Sequence, residues 1–120
     1  MEAGDISWLT ANFPDLAARG YVSKFEALVK QYPPDTDLST WKSQDLVNLI
    51  TVLGLEGALM EPLTENEFIT EDLNEESPIS EVDVAELDEI LEDCDPVDRD
   101  AFKVALRYLK GEFTNVSLRA

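Results

Sequence analysis

Twenty-six carboxylates, one thiol and no imidazole define the chemistry open to this 120-residue chain. Without histidine there is no side chain whose ordinary pKa lies near neutral pH. The base of a Ser-His or Cys-His pair and the usual zinc ligand are missing with it. The one cysteine, Cys94, has no partner for an internal disulfide and fits a reducing compartment. Its acidic neighbours raise a thiol's pKa, the opposite of what a nucleophile needs. A buried structural thiol is expected. Paired carboxylates are the one catalytic option that composition leaves open. Two poised acids need a shaped cleft, which a chain of small helices seldom provides. A binding protein rather than an enzyme is expected, with no cofactor and no metal.

The run from Asp93 to Asp100 looks like a calcium loop at first sight. It has Val97 at the fifth position, Asp98 where glycine is needed and Val104 where the bidentate glutamate is needed. A helix N-cap followed by an acidic first turn explains it better. There is no phosphate-binding glycine loop and no basic-aromatic pattern for nucleic acid.

Charge is segregated along the chain. Residues 1–60 carry a net −4 and residues 101–120 a net +3. Residues 61–100 hold 17 acids against Arg99 alone, a net of −16 within the total of −17. Such a balance repels nucleic acid and anionic membranes and attracts basic surfaces.

The elements that would present this charge are helical. The clearest runs from Ser80-Glu81-Val82-Asp83 to about Asp93. At about 100° per residue, Val84, Leu87, Ile90, Leu91 and Cys94 share one apolar arc. Glu81, Glu86, Asp88, Glu89, Glu92 and Asp93 take the opposite side and form the candidate partner-binding face. Along a helix of about 20 Å, six carboxylates give one charge per about 3 Å, comparable with about 3.4 Å in one strand of duplex DNA. Like charges three and four residues apart cost a few tenths of a kcal/mol each, and no lysine is interleaved to relieve them. A surface merely solvated by its acids is the alternative reading.

The next helix, Pro96 to about Lys110, is capped by Asp95 and ended by Gly111. Its stripe of Arg99, Lys103, Arg107 and Lys110 is expected to pair with carboxylates of the preceding helix. Upstream, Asp5 is expected to cap a helix from Ile6 to Asn12, followed by a turn from Asp15 to Arg19 that Gly20 ends. Ser23-Lys24-Phe25-Glu26 reads as a capping box for a helix that Pro33-Pro34 stops. The turn Pro34-Asp35-Thr36-Asp37 follows. A helix starting between Ser39 and Ser43 carries Leu46, Val47, Leu49, Ile50 and Leu53 and is expected to be the most buried. Gly54 ends it, and a further turn or two run from Leu55 to Met60 before Pro62. Thr64 to Leu73 reads as a frayed acidic helix, Asn74 to Ser77 as loop, and Glu112 to Ala120 as a frayed tail. Trp8 and Trp41 are expected in the core, with an interface role second.

The fold expected is all-α: a compact, single-domain bundle of four to six short helices spanning residues 1–120. The longest apolar stretch, Leu46 to Leu59, is too interrupted to cross a membrane. An acidic N-terminus is unlike a signal peptide, and a cytoplasmic protein complete from its start methionine is expected.

In charge and size the chain resembles small acidic helical inhibitors. These include DNA-mimic proteins of phages and mobile elements, anti-CRISPR and anti-restriction proteins, and immunity proteins for nuclease toxins. The resemblance covers no specific motif and carries no residue over. It implies a partner with a basic surface, such as a nuclease or other nucleic-acid enzyme, with no direct contact to nucleic acid or membrane. The competing expectation is an adaptor or assembly-chaperone module that binds a protein through an apolar groove.

Overall fold

The computed structural model describes residues 7–32 and 36–111. Among these the chain is all-α, and its one β feature is an isolated antiparallel bridge between Lys42 and Glu76. Seven α-helices follow one another: α1 (Ser7–Asn12), α2 (Pro14–Ala18), α3 (Val22–Gln31), α4 (Ser43–Val52), α5 (Glu56–Glu65), α6 (Leu87–Ile90) and α7 (Pro96–Leu109). Three 3-10 turns, Leu38–Thr40, Pro78–Glu81 and Val84–Glu86, join them. No described helix is long and apolar enough to cross a membrane.

One apolar core runs through all of these elements. In α4, Leu46, Leu49 and Ile50 are completely buried, as their i, i+3, i+4 spacing requires. Leu53, just past the last turn, is buried with them. Gly54 follows at φ +71°, and the amide of Leu55 reaches back to the Ile50 carbonyl. That six-residue closure needs a left-handed residue, which glycine supplies without a Cβ clash.

The start of α4 is tied to distant chain. Asp45 accepts from the Lys42 amide at 2.9 Å, and the amides of Ser43 and Gln44 donate to the carbonyls of Glu75 and Leu73. The buried Ser43 hydroxyl accepts from the Thr70 amide at 3.0 Å. The buried Ser77 hydroxyl donates to the Phe68 carbonyl at 2.6 Å. The bonds from the Ser43 and Gln44 amides satisfy helix-end donors that have no intrahelical partner, and with the Thr70 bond to Ser43 they hold the acidic loop of residues 66–77 against α4.

Several expectations change. The capping box at Ser23 is not formed: α3 begins at Val22, and no side-chain bond caps it. Gly20, at φ +88°, lets the Tyr21 amide close on Leu16, so α3 starts directly behind that turn. The helix expected from Thr64 to Leu73 is also absent. Instead α5 continues through Pro62 and stops at Glu65. Glu67 takes φ +66°, which turns the chain so that Phe68 and Ile69 enter the core. Trp41 is buried, with its ring 5.4 Å from that of Tyr32. The Asp5 cap, Ile6, the Trp8 side chain, Pro33-Pro34-Asp35 and the tail from Glu112 lie outside what the structure describes.

Candidate functional site

The site is built on α7. Asp95 accepts from the Val97 amide at 2.8 Å, with Pro96 at the first helical position. This pairing of N-cap and proline starts the helix where the sequence places it. Ala101, Phe102, Val104, Ala105, Leu106, Tyr108 and Leu109 are buried. Arg99, Lys103, Arg107 and Lys110 are left as a half-buried basic stripe.

The stripe is occupied from within the protein. Lys103 Nζ donates to Asp88 Oδ1 at 2.8 Å, and Arg99 Nε stands 3.6 Å from the same oxygen. Lys110 Nζ donates to the Val82 carbonyl at 2.8 Å. The Arg107 guanidinium lies 5.8 Å from the centre of the Phe13 ring, within cation–π range. Pairing of the stripe with the preceding acidic segment is therefore observed at Asp88.

That segment is not the single helix expected from Ser80 to Asp93. Glu81 ends the 3-10 turn Pro78–Glu81, and Val82 and Asp83 are extended. Asp83 then acts as the cap, accepting from the Ala85 amide at 3.0 Å. Val84–Glu86 winds as a 3-10 turn into the single α-turn of α6, and Leu91 leaves the helix. The break has a physical cause. Val82 is buried and its carbonyl is taken by Lys110, so the chain before Asp83 follows the core rather than a helical axis. At the far end the cap geometry of Asp95 before Pro96 requires extended backbone.

The inward and outward partition holds despite the break. Leu87 and Leu91 are completely buried, and Val84, Ile90 and Cys94 pack against the core half-buried. Glu81, Glu86, Asp88, Glu89, Glu92 and Asp93 are all exposed. They lie on a 3-10 turn, a short helical run and the turn after it, so the helical charge spacing of one per about 3 Å does not apply. Asp88 differs from the other five, because Lys103 and Arg99 already hold it. Their hydrogen bond and charge keep its carboxyl below the ordinary carboxylate value.

Beyond these six, every acid of residues 61–100 is exposed except Asp98, which accepts from the Tyr21 hydroxyl at 2.5 Å. Among the described residues, the acids of this segment found in ion pairs are Asp88 and Asp95, the latter 3.9 Å from Arg19. Among the described residues, the other carboxylates of the segment apart from Asp98 face solvent without a cation. Burial and the bond from Tyr21 to Asp98 push the Tyr21 phenol well above its ordinary value.

One contact and one cleft escape a reading of the sequence. The Cys94 thiol donates to the Ala58 carbonyl at 3.6 Å. Burial and the charges of Asp93 and Asp98 push that thiol up, with Arg99 opposing, so its reactive anion is disfavoured. A cleft of about 290 Å³ opens beside it between α5 and the turn after α6. Its wall is Ala58, Pro62 and Ile90, and its rim carries Glu61, Glu65 and Asp93. The sequence reading stops the helix before Pro62, so it does not foresee the carbonyl that this proline leaves open inside α5, and the cleft leaves no local signal.

Comparison of the chain with protein-family models, with curated proteins and with solved structures finds no match.

Proposed function

We propose that this protein binds and masks a basic surface of a partner protein, a surface that ordinarily holds nucleic acid, and that it acts by stoichiometric binding rather than catalysis. One observation carries the reading. Among the described residues, the exposed carboxylates of residues 61–100 mostly lack cations of their own, while the basic stripe of α7 is spent on internal contacts. An ordinary solubilising surface interleaves both signs. Here one sign is presented and the other is withdrawn. Uncompensated charge of this kind steers a partner of opposite sign and rejects nucleic acid and anionic lipid. Glu81, Glu86, Glu89, Glu92 and Asp93 are the docking carboxylates on this reading. An inhibitor of DNA-mimic or immunity type in the cytoplasm fits it.

The adaptor reading has less to support it, because Leu73 is the one large hydrophobic residue found exposed among the described residues, at 37%. Capture of partners from native lysate at low salt, followed by stepwise elution, tests the proposal. Elution of a nucleic-acid enzyme between low and moderate salt is the expected result, since screening lengths fall from about 30 Å at 0.01 M to about 8 Å at 0.15 M. A partner retained at high salt would instead favour an apolar groove.

A further inference from the structure

We infer that Asp88 is a positioning residue of the acidic segment and not one of its docking carboxylates. The inference rests on the docking role proposed for its neighbours. Asp88 stands on α6, a helix of one turn that could not persist alone. Leu87 and Leu91 fasten this stretch to the core on one side. On the other side its polar tether to α7 is Asp88, whose Oδ1 accepts from Lys103 Nζ at 2.8 Å and faces Arg99 Nε at 3.6 Å.

The Arg99 end makes this tether more than a surface ion pair. Its Nε is buried and makes no hydrogen bond, so Asp88 is the anion that offsets its charge. Neutralising Asp88 removes the negative charge that Arg99 faces in its ion pair among the described residues, which opposes the closed arrangement. Lys103 and Arg99 are both on α7, one turn apart, so a single carboxylate pins the acidic turn to two successive turns of the longest helix. Glu86 and Glu89, its exposed neighbours in the same helical run, make no such bond among the described residues and face solvent.

The two roles separate experimentally. A lysine homopolymer serves as the basic surface, and its affinity is measured against salt for the wild type and for Asp88→Asn, Asp88→Glu, Glu86→Gln and Glu89→Gln. Hydrogen exchange at the amides of Leu87 and Leu91 is followed in parallel. Asp88→Asn is expected to accelerate exchange about five- to tenfold, as local opening becomes easier, and to leave the salt dependence unchanged. Asp88→Glu should restore slow exchange. Glu86→Gln and Glu89→Gln should flatten the salt dependence and leave exchange unchanged. A salt dependence that Asp88→Asn flattens as much as Glu89→Gln does overturns the inference, and so does unchanged exchange in Asp88→Asn. If Asp88→Asn accelerates exchange while no variant alters polymer binding, the tether stands and the docking proposal fails.

Discussion

The thiol of Cys94 donates to the main-chain carbonyl of Ala58, 3.6 Å away, and Pro62 explains why that carbonyl is open to it. In α5 the carbonyl of Ala58 would accept from the amide four residues on, and that residue is Pro62, which has none. The turn after α6 thus fills a gap in α5, and two segments 36 residues apart are joined by a weak donor and an orphaned acceptor. The contact lies beside the cleft rimmed by Glu61, Glu65 and Asp93.

A double-mutant cycle should reveal that coupling. Cys94→Ala is expected to cost about 1 kcal/mol, from a lost weak bond and lost packing at a half-buried site. In a Pro62→Ala background the restored amide takes over the Ala58 carbonyl. The cost of Cys94→Ala should then shrink by a few tenths of a kcal/mol. Equal costs in both backgrounds, measured by urea denaturation, would show that the thiol contributes packing alone.

The same thiol should react slowly. Because burial and the carboxylates of Asp93 and Asp98 raise it above its ordinary 9.0, little thiolate exists at neutral pH. A maleimide should label the folded protein far more slowly than the urea-unfolded chain, the rate rising as pH climbs through 9. Labelling as fast as free cysteine at pH 7 would contradict the half-buried placement.

Acid should weaken the tether at Asp88. Its carboxyl is depressed in the fold, so the folded state binds fewer protons than the unfolded chain in that range. The stability it contributes is present above the ordinary value of 3.8 and is lost as pH falls through the folded value. Wild type should therefore be more stable than Asp88→Asn at pH 6, with the gap closing as pH drops below about 4. A gap that persists unchanged at pH 2 would point to a cause other than ionisation.

Charge reversal at Glu86, Glu89 and Asp93 to lysine should abolish partner capture without unfolding the chain. All three are exposed and stand off the apolar arc, so the core is untouched. Affinity should fall by orders of magnitude, as attractive contacts become repulsive. Glu26→Lys and Glu56→Lys, outside the dense segment, serve as the control and should bind almost normally. Loss of capture by the control alone would move the docking face to the N-terminal half.

Leu87→Ala should be among the costlier single changes. Its side chain is completely buried beneath the acidic segment. A cavity there should cost about 2–5 kcal/mol and loosen the exposed acids with it. A loss under about 1 kcal/mol in thermal or chemical unfolding would show that this segment is not packed as described.

Much of this was decided locally and could be read from the chain. The spacing of Val84, Leu87, Ile90, Leu91 and Cys94 set which side turns inward, and it did so whether the backbone wound as one helix or as a 3-10 turn followed by an α-turn. Asp95-Pro96 and Gly54 placed a helix start and a helix end, because caps and left-handed turns depend on neighbours a few residues away. The concentration of carboxylates in residues 61–100 is also a property of the sequence alone. Tertiary packing decided where the acidic segment breaks, since burial of Val82 and the Lys110 bond to its carbonyl outweighed helix propensity around Ser80. It also carried α5 through Pro62, where a thiol from far along the chain met the freed carbonyl. Finally, it separated Asp88 from five carboxylates that look equivalent in the sequence. Only the packing of α7 against this segment determines which acid lies within reach of Lys103 and Arg99.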